Sequence, residues 1–253
     1  MSAAPTMPVI NPRTGAADYS IAPLDGDQIE ALAAKLRSAQ PAWAAKTPEE
    51  RSVVLRALGD ALERHRAALI AALTDDTGRA AISKIEVDAM AKTFYRWADS
   101  APGLIAMAQV ADRQTAIPTI TTSTRLVPYP LLGVISPWNF PLTLALIDAI
   151  PALAAGCAVI VKPSEVTPRF IKPLMAAIAE VPEAASVLAL IEGDGATGAT
   201  LIDHVDFIAF TGSVATGRKV GEAAARAFIP ASLELGGKDP MIVLADADLE
   251  RAS

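Results

Sequence analysis

Two polar side chains lie where they could take part in catalysis. Asn139 lies in the segment SPWNFP (136–141), between a predicted strand and a predicted helix, where two prolines restrict the backbone. A preorganised amide there can donate to a developing oxyanion, which contributes about 3 kcal/mol. Glu234 lies in LELGGK (233–238), where two glycines allow a ligand to approach a carboxylate that can act as a general base. Taken alone, a rigid turn with a capping Asn and a strand-end Glu paired with Lys238 explain the same residues.

Two further segments have the composition of a nucleotide site. Lys162 and Glu165 follow a predicted strand, where both side chains could bond to the ribose hydroxyls of an adenosine. The segment FTGSVATG (210–217) opens a helix, and its free N–H groups beside Gly212 and Ser213 suit a pyrophosphate. It does not match the G-x-G-x-x-G fingerprint. A charged loop and an ordinary glycine-containing turn remain alternatives for these two segments.

The elements that must position these segments follow from the apolar pattern. Short apolar runs predict buried strands at Gly133–Ile135, Ala158–Val161, Val187–Ile191, Phe207–Phe210 and Met241–Leu244. Helix-length segments lie between them at Leu142–Ala155, Pro168–Val181 and Val214–Ala227. Strands that alternate with helices predict an α/β fold, with an open parallel sheet and helices on both of its faces.

Long helices are predicted before this alternating region. Asp27 is a candidate N-cap for a first helix that Pro41 would end. TPEE at 47–50 is a capping box for a second helix that Gly78 would close. A third helix is predicted over 80–107.

The residue composition changes between these helices and the predicted sheet. Residues 119–127 are rich in β-branched side chains and predict an exposed strand that forms a protruding arm. We therefore divide the chain into a helical part (1–114), an arm strand (115–130) and a sheet-containing core (131–253). Residues 246–253 predict the start of another helix, so we expect the sequence to be part of a longer protein.

Composition restricts the function classes. The net charge is −6, with no basic run that would attract nucleic acid, and no uninterrupted apolar segment is long enough to span a membrane. The N-terminus lacks the pattern of a signal peptide. The single cysteine, Cys157, allows no internal disulfide, so we expect a cytoplasmic protein.

Together, in this order and spacing, the four segments resemble the NAD(P)-dependent aldehyde dehydrogenases, over nearly the whole chain. The resemblance implies a Rossmann-like core, NAD as cofactor (with NADP possible), an aldehyde substrate, and a homo-oligomer, dimer or tetramer, that uses the arm. It implies that Asn139 is the oxyanion donor and Glu234 the general base. The cofactor-binding residues that it implies are Ile135, Pro137, Trp138, Lys162, Ser164, Glu165, Gly195, Phe210, Gly212, Ser213, Leu235 and Gly236.

Two features depart from the family. Its mechanism uses a cysteine thiolate, through a thiohemiacetal and a thioester, at a position roughly 35 residues after the general base. That position lies beyond Ser253, and Cys157 beside an apolar strand is interpreted as a small buried hydrophobe. Asp148 stands where many members have lysine, which weakens a proton-relay role for its helix.

Three hypotheses remain open from the sequence. The chain is the first half of an aldehyde-oxidising enzyme, a non-catalytic module that binds a dinucleotide, or a structural partner that pairs with full-length subunits through the arm. In each case we expect the 253-residue chain by itself to be inactive, because it lacks a suitable nucleophile.

Overall fold

The computed structural model describes residues 6–252. Its strands are β1 (Met7–Ile10), β2 (Ala17–Ile21), β3 (Val110–Gln114), β4 (Thr121–Thr124), β5 (Leu131–Ile135), β6 (Ala158–Lys162), β7 (Leu188–Leu190), β8 (Phe207–Gly212) and β9 (Ala231–Leu235). Its helices are α1 (Gly26–Ala44), α2 (Pro48–Arg64), α3 (Arg66–Thr77), α4 (Ala80–Ala108), α5 (Pro141–Leu146), α6 (Ala149–Ala155), α7 (Ile171–Ala179), α8 (Pro182–Ala185), α9 (Gly195–Ile202), α10 (Val214–Ala227) and α11 (Leu249–Ala252).

Five parallel strands form the central sheet, in the order β7-β6-β5-β8-β9. The chain moves outward from β5 to β7 and then returns to the other side of β5. Helices α1, α6, α7, α9 and α10 pack against these strands, so the predicted α/β class with a parallel sheet is confirmed. The reversal beside β5 leaves a crevice at the carboxyl ends of β5 and β8, where open α/β sheets bind ligands.

Helix α1 differs from the prediction at both ends. Asp25, not Asp27, is the N-cap, and its carboxylate forms a capping box with the third residue of the helix. Pro41 does not end the helix. The turn beyond it is held because Trp43 is buried and donates from Nε1 to the carbonyl oxygen of Leu153 at 3.0 Å.

Helices α2, α3 and α4 occupy the region where two helices were predicted, because the first of the two is interrupted once. The Thr47–Glu50 capping box is confirmed. The helix predicted to run on to Gly78 is interrupted at His65, whose φ of −89° and ψ of 5° separate α2 from α3. Gly78 ends α3 in the left-handed conformation, with φ of 69°, which glycine adopts without strain. The third helix is confirmed as α4.

The predicted arm strand is part of a hairpin. The strand predicted over 119–127 is shorter in the structure, where β4 pairs antiparallel with β3. The β3 sequence, VADRQ, has too few β-branched residues to have predicted a strand. Every residue of both strands is exposed. A second hairpin, β1–β2, was also not predicted.

Three predictions in the core region are wrong. Met241–Leu244 is not a strand; it is an exposed segment that pairs with no strand among residues 6–252, and β9 forms the edge of the sheet instead. The helix predicted over Leu142–Ala155 is divided into α5 and α6, because Pro151 cannot donate to the carbonyl four residues earlier. The helix predicted over Pro168–Val181 is α7, which is shorter.

One hydrophobic core connects the helices to the sheet. Fully buried side chains such as Leu55 in α2, Phe94 in α4, Leu153 in α6 and Val159 in β6 belong to the same cluster. In the part of the chain that the structure describes, no helix combines the length and apolar character needed to cross a membrane.

Candidate functional site

Two adjoining clefts lie at the carboxyl ends of the strands. The first, of about 510 Å³, we call the Asn139–Glu234 cleft, and it is lined by Pro137, Trp138, Asn139, Leu144, Thr211, Gly212, Ser213, Glu234, Leu235 and Gly236. The second, of about 360 Å³, we call the Lys162 groove, and it is lined by Ile135, Lys162, Gly195, Gly198, Ala199, Ile202, Thr216, Lys219, Val220 and Ala223. Three segments that are distant in sequence therefore meet in the first cleft.

The start of α10 joins the two clefts. Ser213, in the first cleft, caps the helix, because its Oγ accepts a hydrogen bond from the Thr216 backbone N–H at 3.1 Å. The Ser213 hydroxyl also lies 2.9 Å from Oγ1 of Thr216, which lines the second. The first N–H groups of a 14-residue helix have no acceptor within the helix, so they can bind an anion at this junction.

Close packing behind this junction depends on one glycine. A Cβ at Gly217 would lie 2.3 Å from Cδ2 of Leu235 and 3.2 Å from Cε1 of Phe210. A side chain at this position would force the Leu235 side chain to shift. Gly217 therefore lets Leu235 lie directly against the first turn of α10, at the wall of the first cleft.

Lys162 is a buried cation at the end of β6. Its Nζ donates to the carbonyl oxygens of Gly193 at 3.0 Å and Asp194 at 3.1 Å, and lies 3.6 Å from a carboxylate oxygen of Glu165. Burial lowers the pKa of Lys162, and the nearby Glu165 and Asp194 oppose that shift. The ammonium is therefore fixed between the β6 loop and the loop before α9, facing the groove.

Comparison with known proteins agrees with this geometry. The aldehyde dehydrogenase family model matches residues 1–253. The chain belongs to the aldehyde dehydrogenase family.

Individual relatives cover the same region. A Mycolicibacterium smegmatis protein named "Putative succinate-semialdehyde dehydrogenase [NADP(+)]" is 36% identical over 90% of this chain and 44% of its own length. A solved chain from Anabaena variabilis, named "Putative Aldehyde Dehydrogenase PutA", is 52% identical with a TM-score of 0.93, over 98% of this chain and 52% of that one. Betaine aldehyde dehydrogenase from Staphylococcus aureus, solved in complex with NAD+, is 31% identical with a TM-score of 0.87, over 98% and 50%. The chain thus spans about half the length of these aldehyde dehydrogenases.

Most of the residues that the sequence pointed to line one of the clefts. In the first cleft are Pro137, Trp138, Asn139, Gly212, Ser213, Glu234, Leu235 and Gly236, and in the second are Ile135, Lys162 and Gly195. Three do not line either cleft. Ser164 is buried and its Oγ accepts from the Val166 N–H at 3.2 Å, Phe210 is buried beneath Gly217, and Glu165 is half-buried beside Lys162.

The sequence analysis missed one wall of the Lys162 groove. Gly198, Ala199 and Ile202 come from α9, which was not predicted. Its glycines disfavour a helix, but Asp194 supplied a signal: its carboxylate caps α9 by accepting from the backbone N–H groups of Ala196 and Thr197. On the other wall are Lys219, Val220 and Ala223 of α10.

A second carboxyl group lies near Glu234. Asp148 is half-buried where α6 begins, and its side chain makes no capping hydrogen bond there. Burial raises the pKa of Asp148, and the negative charge of Glu234 raises it further. Asp148 is also the residue that stands where many family members have lysine, so this chain has a carboxyl group and not an ammonium group near Glu234. Among residues 6–252, no group of three or more His, Cys, Asp or Glu side chains is placed to hold a metal ion.

Proposed function

We propose that this chain binds NAD(P)+ and supplies two catalytic groups for the oxidation of an aldehyde to a carboxylic acid. The observation that carries the proposal is the meeting of Asn139, Ser213 and Glu234 in one cleft at the point where the strand order reverses. The Lys162 groove, which meets this cleft at Ser213 and Thr216, would accommodate the remainder of a dinucleotide.

The residues present fit such a cofactor. Gly198 lines the groove without a side chain, and a Cβ there would lie in ordinary contact with the Ile135 and Lys162 side chains, at 3.4 and 3.6 Å, and would occupy space beside them. Lys162 and Glu165 would hold the adenosine ribose, and Gly212 with Ser213 at the start of α10 would hold the pyrophosphate. Ile135, Pro137, Trp138, Gly195, Leu235 and Gly236 would complete the surface around it. When bound, the nicotinamide supplies the hydride acceptor of the reaction.

Two side chains of this chain would act on the substrate. The Asn139 amide would donate a hydrogen bond to the oxygen that gains negative charge, and the Glu234 carboxylate would accept a proton from the attacking water. Cys157 does not complete this set: it is 4% exposed, and burial raises the pKa of its thiol to about 11. A thiol with that pKa is a poor nucleophile near neutral pH. We therefore propose that the 253-residue chain alone binds cofactor without oxidising aldehydes.

The exposed hairpin favours self-association of the whole enzyme. The β3–β4 arm and its tip expose the apolar side chains of Val110, Ile117 and Ile120, and both of its strand edges lie at the surface. Exposed edges and apolar side chains are typical of surfaces that pair with another chain. We propose that the arm contributes to a homo-oligomer, a dimer or tetramer. A cytoplasmic location stays a prediction from the sequence.

Calorimetric titration of the chain with NAD+ tests the proposal. Lys162→Ala removes a buried charged donor, for which the expected loss is about 1.5–3 kcal/mol, or roughly ten- to hundredfold in affinity. Ala199→Leu adds bulk on the exposed face of α9 in the groove, leaves Lys162 intact and should also weaken binding. The matched control is Lys172→Ala, an exposed lysine on α7 away from both clefts. Failure of the unsubstituted chain to bind either NAD+ or NADP+ would refute the proposed function.

An activity assay separates catalysis from binding. The chain mixed with NAD+ and a panel of aldehydes should produce no NADH. Production of NADH that is lost in Cys157→Ala would contradict our assignment of Cys157 as a buried structural residue, and would also exclude the alternative of a non-catalytic dinucleotide-binding module.

A further inference from the structure

The turn that carries Asn139 has few hydrogen bonds of its own. Pro137 and Pro141 have no N–H to donate, and Asn139 itself is exposed. The backbone hydrogen bonds at its edges are Ser136 N–H to the Lys162 carbonyl, at 3.2 Å, and Leu144 N–H to the Phe140 carbonyl, at 2.9 Å. The peptide groups on either side of Asn139 therefore depend on contacts from elsewhere in the chain.

Arg79, at the start of α4, makes one such contact. Its guanidinium Nη2 donates to the backbone carbonyl oxygen of Asn139, 60 residues away in sequence. The guanidinium carbon also lies 5.3 Å from the centre of the Phe140 ring, a distance at which a cation is attracted to an aromatic face. Arg79 thus holds the carbonyl of Asn139 and the next side chain together.

Glu86, two turns further along α4, holds the helix that follows. The N-cap of α5, Phe140, makes no side-chain capping hydrogen bond. Instead the Glu86 carboxylate, which is 3% exposed, accepts from the Thr143 N–H at 2.7 Å and also bonds to the Leu142 backbone. Burial raises the pKa of Glu86, and the Thr143 and Leu142 hydrogen bonds and the charge of Arg79 oppose that shift. The carboxylate replaces the missing cap at the positive end of α5.

Arg79, the residue before α4, and Glu86 within that helix therefore hold the chain on both sides of Asn139. We propose that Arg79 and Glu86 are positioning residues that fix the Asn139 side-chain amide in its donor orientation. The catalytic meaning of this inference rests on the proposed function of Asn139. A preorganised donor needs no reorganisation when charge develops, and a displacement of about 1 Å can reduce a rate on the order of a hundredfold.

The test is NMR spectroscopy of the isotopically labelled 253-residue chain. The side-chain NH₂ signal of Asn139, identified by its loss in Asn139→Asp, reports its order through the heteronuclear ¹⁵N relaxation of that group. We expect an ordered signal in the unsubstituted chain, which becomes mobile in Arg79→Ala and is largely restored in Arg79→Lys, since lysine can still donate to the carbonyl. Arg96→Ala, an exposed arginine on the same helix, is the matched control and should leave the signal unchanged.

The Glu86 variants test the second contact. In Glu86→Ala the Thr143 amide should exchange with solvent at least tenfold faster and Asn139 should become mobile, whereas Glu86→Gln retains a carbonyl acceptor and should recover both. If Glu86→Ala does not fold, Arg79→Ala decides alone, because Arg79 is only partly buried. An Asn139 amide that is mobile in the unsubstituted chain, or that stays as ordered in folded Arg79→Ala as in the unsubstituted chain, would overturn the proposal.

Two further readouts separate the possible explanations. A purely structural role would lower the urea midpoint of the variants without mobilising the Asn139 amide, and this result also counts against positioning. NAD+ titration of the same samples tests the proposed function independently. If the chain does not bind NAD+ but the Asn139 amide becomes mobile in Arg79→Ala, the catalytic role of Asn139 is refuted. The positioning contact between Arg79 and the turn is then still established.

Discussion

The two segments that carry the candidate catalytic groups are held very differently. The turn with Asn139 is fixed by Arg79 and Glu86 from α4, and the Thr167 hydroxyl lies 3.4 Å from the Trp138 carbonyl. The segment with Glu234 is exposed at every residue from 231 to 240. The described chain therefore holds the Asn139 side of the cleft in place and leaves the Glu234 side exposed.

The cause of the difference is position in the sheet. The turn follows β5, which has a strand on each side, and leads into α5, which packs against α4. Glu234 lies in β9, which pairs with β8 on one side only, and ideal Cβ atoms at Gly236 and Gly237 meet no other atom within 4 Å. The turn with Asn139 is thus packed on several sides by the described chain, whereas the segment with Glu234 is packed on one side only.

Stability measurements give the largest expected contrast. Replacing Leu153, which is 1% exposed in α6, by alanine should lower the free energy of unfolding by about 2–5 kcal/mol, because a buried cavity is created. Leu244, 66% exposed, should change the free energy of unfolding by less than about 0.5 kcal/mol. Urea unfolding monitored by tryptophan fluorescence measures both. A loss above about 1.5 kcal/mol in Leu244→Ala would show that the segment after β9 is packed in solution, and the contrast would fail.

Self-association of the 253-residue chain should respond to the exposed segment Met241–Leu244 more than to exposed apolar residues on the helices. Met241, Ile242 and Leu244 belong to an exposed apolar run, and β9 has one unpaired edge; surfaces of both kinds drive self-association. The double variant Ile242→Lys/Leu244→Lys should raise the dissociation constant of self-association at least tenfold, or about 1.4 kcal/mol.

Light scattering coupled to size exclusion measures this effect. The matched control is Val53→Lys/Ile85→Lys, which changes two residues on α2 and α4 that are 67% and 62% exposed. An unsubstituted chain that is monomeric at every concentration would contradict the prediction, as would an equal response of both double variants.

The ratio of NAD+ to NADP+ affinity should show the smallest change of the three. It should depend on Glu165 beside Lys162 and not on the exposed segment that follows Glu234. Glu165→Ser removes the carboxylate that we propose to lie at the adenosine ribose, where its charge would repel a 2′-phosphate. The preference for NAD+ over NADP+ should therefore fall roughly three- to tenfold for a partly exposed charge. Asp239→Ser, the control, removes an exposed carboxylate from the open segment and should leave the preference unchanged. Comparative titration with the two dinucleotides decides. Tighter binding of NADP+ by the unsubstituted chain would contradict the role given to Glu165.

The parts of the fold that could be predicted have strong local signals. Buried parallel strands such as Ala158–Lys162 are short apolar runs, and their alternation with helices indicated the sheet. Helix α10 was predicted with its observed bounds because an apolar strand and the segment FTGSVATG precede and open it; the structure adds that Ser213 is its N-cap. The motifs follow strands directly, so locating the strands also located Asn139, Lys162 and Ser213.

The parts that were missed depend on distant contacts or weak local patterns. Strand β9 is exposed and mixed in composition, whereas the exposed run Met241–Leu244 is as apolar as a buried strand and was mistaken for one. Helix α9 contains two glycines, which lower helix propensity. Neither Arg79 nor Glu86 has any local feature that indicates a contact with the turn, because the partners lie 60 and 57 residues away. Such contacts are set by packing of α4 against α5 and not by local sequence.

Hydrogen–deuterium exchange of the chain with and without NAD+ tests the central claim most directly, since it reports binding and the two segments in one measurement. We predict that saturating NAD+ slows exchange in peptides that cover the first turns of α9 and α10 and the turn at 136–140, and leaves residues 238–249 exchanging as fast as in the free chain. No slowing at the starts of α9 and α10, or slowing confined to 238–249, would contradict the assignment of the cofactor site.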